Sequence, residues 1–488
     1  MSGARAEEIA GGSYRGLTMG LFAVAAGALA FAAWQVALRV PQYFEIDYGE
    51  GFVWSQMSDL VAGRLYRPLS QYPVALMHYT PLFHATAALV WKLGVDPLIA
   101  GRLVSLIAGL ALVASCGVLA YMAAPATLPP HRRRLAALAA VALAIGSPEI
   151  IEWSTLMRVD MLATSLGMLG LAALAWSDRS RCALALAGTC FLLALSAKQS
   201  ALAPALAGIT ALLWARPRAA LWLMGGIVAA VALLVGSAEL ATAGEFLRHT
   251  VLYDAARVHW DQLILLWLPL LVKSAAIIAV AAGVSALILR AVIRGDAVRA
   301  DPSSWLRLAL ALNFGLGLAF SLGTAKVGAG SGYMLPLLAP AASLAALAFA
   351  ECSRYARILF AVFAAQIAVG LATYPFPTPS ELSQRDRVDL QLMQIMDRGD
   401  GPVLSENMSL LMRAGRPVPW EFGSITELSL LGIFDESPLV KRLQERQFKM
   451  LIVETWEPQR FTPAIREAAQ SNYLKTEEIP PYEIWRPR

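Results

Sequence analysis

The chain is poor in charge. Only 15% of its 488 residues are Asp, Glu, Lys or Arg, against about 25% in soluble domains. That scarcity excludes an ordinary water-soluble globule. The apolar residues fall instead in long blocks, each near the roughly 20 residues that cross a bilayer. Cysteine is scarce as well. Cys116, Cys182, Cys190 and Cys352 form no CxxC pair, and none lies in the polar C-terminal tail. Neither a disulfide framework nor a zinc site is implied. A Walker A loop, a GxSxG elbow and an HExxH pair are all missing, which removes the signatures of P-loop nucleotide hydrolysis, serine hydrolysis and zinc proteolysis. No repeat of fixed period occurs. Residues 1–16 carry Arg5, Glu7, Glu8 and Arg15 with no small-residue cleavage pattern after the first apolar run, so a secretory signal is not expected.

The net charge of +5 is unevenly spread. From Tyr374 onward there are 14 basic and 17 acidic residues, so the surplus lies entirely upstream. This argues against nucleic acid as a partner and for basic loops that orient membrane spans. Eleven spans are predicted, at 17–38, 98–124, 135–150, 159–176, 182–197, 200–214, 219–236, 274–293, 305–323, 333–350 and 355–373. With the N-terminus in the cytoplasm, the basic loops 131–134, 177–181, 215–218, 290–299 and 351–357 all face inward. Residues 39–97, 151–158, 198–199, 237–273, 324–332 and the tail then face outward.

The expected fold is therefore mainly α: a transmembrane unit over 1–373, with a first outer loop at 39–97, and a small extracytoplasmic α/β domain over 374–488. In the outer loop, Phe52, Val53, Met57, Leu60 and Val61 keep helical spacing. "TPLFHATAALVWKLG" (80–94) reads as a second short helix, and 261–272 as a third, all lying at the interface. "PFPTP" (375–379) reads as a stiff linker. In the tail, helices are expected near 384–398, 408–414, 424–432, 437–447 and 462–472, and strands at "PVLSE", "KMLIVE", 473–479 and 482–486.

Candidate chemistry gathers on the outer face. Asp47 and Glu50 follow the first span within "DYGEG", where Gly49 and Gly51 would let a ligand approach the backbone. An outward carboxylate can serve as general base to an acceptor hydroxyl or hold a divalent cation. Arg158 and Asp160 start the fourth span, and Lys198 sits at the tip of the hairpin joining the fifth and sixth. Each arm of that hairpin carries about 16 apolar residues, roughly 24 Å of helix, against a hydrocarbon core of about 30 Å. Lys198 is thus recessed to the depth of a lipid phosphate, where its point charge would pair with a phosphate oxygen. Lys326, His78, Tyr79, His249, Tyr253 and His259 are further outer-face candidates. His249 and His259 lack metal-ligand spacing.

The segments "DYGEG", "HYTPLFHATAALVWKLGVDPLIAGRLVSLIAGL", "LMRVDMLATSLGMLGL", "AKQSALAPAL", "GSGYMLPLLAP" and "FDESPLVKRL" resemble the GT-C superfamily of integral-membrane glycosyltransferases. They are most similar to the bacterial branch related to protein O-mannosyltransferases, which also holds lipid A aminoarabinose and lipopolysaccharide-core transferases. The resemblance implies an enzyme of the bacterial plasma membrane that takes a polyprenyl-phosphate-linked sugar and transfers it, with inversion, to an envelope glycan, lipid or protein. It implies Asp47 as base, Glu50 as its neighbour in position or in metal contact, Arg158 and Asp160 lining the cavity and Lys198 at the donor phosphate; Lys326 joins that donor and cavity group by its place on the outer face. Relatives often have Asn-Tyr-Pro-Pro where this chain has His78-Tyr79-Thr80-Pro81. No cofactor is required by this chemistry, and a divalent cation stays open. The rival readings are a transporter or flippase of a lipid-linked sugar, which would carry repeats and broken midplane helices, and a membrane scaffold with a binding domain.

Overall fold

The computed structural model describes residues 2–178, 180–254, 256–299, 301–352, 354–397 and 401–488, with only the backbone for residues 2–14. The expected basic loops at 177–181 and 351–357 each contain one residue outside that set, as does the final position of the helix expected at 384–398.

The first part of the chain is a bundle of helices. In order these are α1 (Ser2–Arg39), α2 (Tyr48–Val61), α3 (Leu82–Lys92), α4 (Pro97–Ala123), α5 (Pro130–Ile145), α6 (Pro148–Ser154), α7 (Val159–Leu174), α8 (Arg181–Ala197), α9 (Ala203–Ala215) and α10 (Pro217–Ala241). Ala275–Arg294, Pro302–Ser321, Leu335–Glu351 and Ala356–Thr373 complete it. Among the described residues, seven helices are long and apolar enough to cross a membrane. The α5–α6 pair adds an eighth candidate, bent by 66°. With the short helices α7, α8 and α9, the expected spans fall on helices, except that 135–150 is broken at Gly146 and Ser147. Proline opens α4, α5, α6 and α10, where its missing N–H costs nothing. Pro148 also explains the bend, because the residue before a proline is pushed out of the helical region and Ser147 is extended.

Small residues let these helices approach closely. A Cβ on Gly317 would lie 2.3 Å from the carbonyl oxygen of Pro336, and one on Gly170 would lie 2.5 Å from the ring of Phe191. Leu337, Leu344 and Phe349 are fully buried in the same bundle.

The tail folds into a four-stranded sheet, β1 (Val403–Ser405), β2 (Met450–Val453), β3 (Tyr473–Ile479) and β4 (Tyr482–Pro487), in the order β1-β2-β4-β3. β1 and β2 are parallel, so three helices fill the crossover between them. β4 is antiparallel to β2 and β3. All four strands and the helices from Pro379–Asp397 to Pro463–Asn472 lie where the sequence places them.

The expected stiff linker at 375–379 is packed against the bundle. Phe376 packs on Phe31 at 5.5 Å and under the Arg39 guanidinium at 5.6 Å, so this stretch is part of the packed body. The tail also grips the first outer loop. Val74 pairs with Trp420 as an isolated bridge. Arg413 bonds Asp96 at 2.9 Å and lies over the rings of Tyr43 and Trp54. Asp96 does double duty, since it also caps α4 by accepting from Leu98 and Ile99.

One buried ion pair ties these parts together. Arg102 of α4 and Glu50 of α2 are both fully buried, with two contacts of 2.8 Å between them. Arg102 also donates to the carbonyls of Val40, Gln42 and Phe44. Glu50 accepts in addition from the backbone of Ile46 and Met157. Removing one partner of such a pair leaves a buried charge and costs about 3–5 kcal/mol. Arg102→Leu and Glu50→Gln should therefore each lower the thermal midpoint of the purified protein by several degrees. Midpoints equal to that of the wild type would show that the pair is dispensable.

Candidate active site

Asp47 is the N-cap of α2. Its backbone is extended, and Oδ1 accepts from the Gly49 N–H at 3.0 Å, the usual way to satisfy a free helix-start donor. The same Oδ1 accepts from Arg158 Nη1 at 2.9 Å. No described residue donates to Oδ2, and the side chain is about half exposed, at 45%. Asp47 therefore presents one oriented oxygen to its surroundings. Arg158, the residue before α7, is held from its other face by the Trp153 ring at 5.0 Å. The Trp153 N–H in turn donates to Ser331 at 2.7 Å.

Gly49 lines the cavity, and both glycines of "DYGEG" stand close against neighbouring side chains. A Cβ on Gly49 would lie 1.2 Å from Arg158 Nη1, and one on Gly51 would lie 2.1 Å from Glu45 Oε2. They make room for the chain's own charged side chains.

Lys198 ends α8 and pairs with Asp160 at the start of α7, Nζ to Oδ1 at 2.6 Å. Its Nζ also lies 4.7 Å from the centre of the Tyr333 ring. Lys326 pairs with Asp254 at 2.9 Å. Asp47, Arg158, Asp160, Lys198 and Lys326 all line one cavity of about 330 Å³, together with His78, Tyr79 and Tyr253. Asp160, Lys198, Ser200 and Tyr333 also border an adjoining apolar crevice, which runs in among Met168, Pro204, Phe320 and Pro340.

His78 stacks on Phe52 at 4.8 Å. Burial lowers its pKa well below the usual histidine value, and Lys326, Arg158 and Lys198 push the same way, so it is neutral at pH 7. Tyr79 is raised to about 12, again by burial.

Three expected site residues stand elsewhere. Glu50 does not reach the cavity: its carboxylate is enclosed by Arg102, the arrangement that makes its burial tolerable. His249 is fully buried, accepting from Met77 N–H at Nδ1 and meeting the Arg67 carbonyl through Nε2. Both ring nitrogens are used in holding the outer loop, and burial lowers its pKa. His259 is exposed and off the cavity, 3.8 Å from Asp261. For a divalent cation the cavity offers carboxylates that are already paired, Asp160 with Lys198 and Asp254 with Lys326. Asp47 faces a guanidinium, Glu50 is consumed, and among the described residues no three His, Cys, Asp or Glu side chains come together.

Sequence reasoning missed the tail's share. Glu421, Gly423, Ser424, Glu427, Gln459 and Arg460, all from the tail, also line the same cavity. Arg460 lies 3.5 Å over the Tyr48 ring, Tyr48 donates its hydroxyl to the Phe422 carbonyl, and Arg257 holds Glu427 at 2.8 Å. Nothing in the local pattern of those residues marks them.

No family model and no curated protein sequence matches the chain. Solved structures do. ArnT from Cupriavidus metallidurans in the apo state matches with a TM-score of 0.65 at 13% identity, over 96% of this chain and 98% of that one. The same protein bound to undecaprenyl phosphate matches with a TM-score of 0.60 at 13% identity, over 95% and 97%. The archaeal oligosaccharyltransferase AglB from Archaeoglobus fulgidus, in complex with an inhibitory peptide and a dolichol-phosphate, matches with a TM-score of 0.51 at 11% identity, over 95% and 74%. At these identities the likeness is one of fold, and it runs from end to end: the chain has the fold seen in ArnT.

Proposed function

We propose that the chain is a membrane glycosyltransferase that moves a sugar from a polyprenyl-phosphate donor to an acceptor hydroxyl on the non-cytoplasmic face, with inversion. The observation that carries this reading is the joining of Asp47, Arg158, Lys198 and Lys326 on one cavity whose floor opens into an apolar crevice. A carboxylate for the acceptor, cations for a phosphate and a slot for hydrocarbon are thereby adjacent. The neighbouring fold holding undecaprenyl phosphate, and the more distant one holding dolichol-phosphate, support the same donor class.

In this reaction the phosphate sits at Lys198 and Lys326, with the prenyl chain directed into the crevice. The acceptor oxygen attacks the anomeric carbon from the opposite side as the bond to the phosphate oxygen breaks. The electron pair leaves with the phosphate, and the acceptor proton passes to Asp47 Oδ2. Arg158 orients Asp47 and adds positive potential where negative charge accumulates. Each cation of the cavity floor already has a carboxylate partner, so an arriving phosphate shares those cations with Asp160 and Asp254. The reaction takes its energy from the lipid phosphate, so it needs no nucleotide. Glu50, expected beside the base, is here a positioning residue acting through Arg102.

A transporter would need a route through the bundle. The lining of the crevice instead reaches only Met168, Asn313 and Pro340, partway along their helices, and the acids and cations gather at one end of the bundle, which favours transfer.

Asp47→Asn should lower kcat by at least the 10²-fold typical of a general base, in nanodiscs with a labelled polyprenyl-phosphate sugar, without changing the thermal midpoint. Gly49→Ala should do nearly as much by displacing Arg158; full activity in Asp47→Asn would remove Asp47 from the reaction. Lys198→Ala should raise the donor KM about tenfold or more, the effect of losing one charge-assisted contact, with the acceptor KM unchanged. An unaltered donor KM would reduce Lys198 to a partner of Asp160. Alkaline phosphatase fused after Arg488 should be active in bacteria; an inactive fusion would invert the proposed orientation.

A further inference from the structure

A second hollow, of about 330 Å³, lies between α8 and α10 and shares no residue with the cavity. It is a groove, and it exists because the two helices face one another there with small residues, Gly188 on α8 and Gly226 and Ala230 on α10. Leu184, Leu192 and Ile227 give it apolar sides. Arg181, the first residue of α8, stands at one end. From Arg181 to Leu192 the lining follows α8 for about 16 Å at 1.5 Å per residue. Half of a hydrocarbon core of roughly 30 Å is about 15 Å. The groove therefore has the reach of one leaflet. Lys198, on the cavity, ends the same helix, so the groove belongs to the leaflet opposite the site.

The flank that carries the groove faces lipid. Leu221, Val228 and Leu233 of α10 are exposed, and Ala220 and Leu223 alone on that helix are buried among the described residues. Water in an apolar groove is unfavourable, and hydrocarbon is what surrounds it, so a lipid chain fills it. The end of the groove is different. Arg181 is exposed, and its guanidinium has no carboxylate partner among the described residues. Asp178, three positions earlier, is held by Arg216. Trp222, near the start of α10, borders the groove and is 80% exposed, which suits an indole at headgroup level. A guanidinium can bind a phosphate through two parallel N–H donors, and basic pockets between membrane helices take acidic headgroups. Chain slot and cation are thus spaced as the two parts of one lipid.

We propose that the groove between α8 and α10 seats one chain of an acidic phospholipid whose phosphate lies on Arg181. The lipid supplies packing that α10 otherwise lacks. This inference does not rest on the transfer reaction proposed above.

The test uses the full chain in detergent and native mass spectrometry. The probes are dioleoyl phosphatidylglycerol and dioleoyl phosphatidylcholine, which share their chains and differ in headgroup charge. The wild type should hold one phosphatidylglycerol at least fivefold more tightly than phosphatidylcholine. Arg181→Ala should bring the two lipids within twofold of one another, and Arg181→Lys should keep a preference of at least threefold. A Cβ on Gly226 would meet nothing within 4 Å, so Gly226→Leu fills the groove without a clash. It should weaken phosphatidylglycerol at least fivefold, and adding Arg181→Ala to it should cost less than twofold more. Arg181 is at the surface, so its variants decide the matter even if Gly226→Leu does not fold. The proposal is overturned by a wild type with no headgroup preference, by a preference that survives Arg181→Ala, or by undiminished binding in Gly226→Leu. Undecaprenyl phosphate that displaces the bound phosphatidylglycerol mole for mole would overturn the phospholipid assignment. A dimer that is lost in Gly226→Leu would overturn it too, since a second copy of the chain would then fill the groove.

Discussion

The site depends on the contact between Glu50 and Arg102. Two opposite charges with no exposure to solvent must satisfy one another, and the manner in which they do so fixes the surrounding backbone. Arg102 collects three carbonyls from the turn that follows α1, and Glu50 collects N–H groups from Ile46 and Met157. The turn, the start of α2, the middle of the outer end of α4 and the approach to α7 are thereby clamped at one point. Asp47 lies on the first side of that clamp and Arg158 on the second. Their 2.9 Å contact is the visible result. A pair that touches no substrate thus sets the geometry of the pair that faces the cavity.

The cavity itself is an array of opposed charges. Asp47 with Arg158, Asp160 with Lys198, and Asp254 with Lys326 are matched one to one. Such matching keeps several charges in place at the membrane boundary at a tolerable cost. In the proposed transfer, a phosphate would gain by sharing cations already held in position, with little reorganisation of the protein. Burial tunes the neutral members of the lining in the same spirit. His78 stays uncharged and Tyr79 stays protonated, so neither adds to a balance of charge that the pairs already set.

Much of this was legible in the sequence, for reasons that can be named. Apolar blocks are long-range patterns, and they located the helices of the bundle, seven of which are long and apolar enough among the described residues to cross a membrane. Asp47, Arg158, Asp160, Lys198 and Lys326 could be grouped because topology alone puts them at one end of the bundle. The errors have physical causes too. An arginine inside an apolar run demands a partner, and Arg102 within "LIAGRLVSL" carried that signal; following it would have withdrawn Glu50 from the list of exposed acids. His249 looked available because nothing local announces that Met77 and Arg67 occupy its two nitrogens. Glu421 was beyond reach, since its place depends on a bridge to Val74, far away in the chain. The roles of the cavity residues are a proposal that the geometry supports and that assays will decide.

The shortness of three helices carries a consequence for the lipid around the protein. α7, α8 and α9 have 16, 17 and 13 residues, lengths of about 24, 25 and 20 Å at 1.5 Å per residue. Leu186, Leu206 and Leu213 on α8 and α9 face outward. One response to such a hydrophobic mismatch, where α8 and α9 meet lipid, is a thinner bilayer beside them. The dimple so formed would carry headgroups down to the level of the α8–α9 turn, on the same flank as the crevice. The protein would then pull the membrane surface toward its site, so that a lipid arriving there has less far to climb.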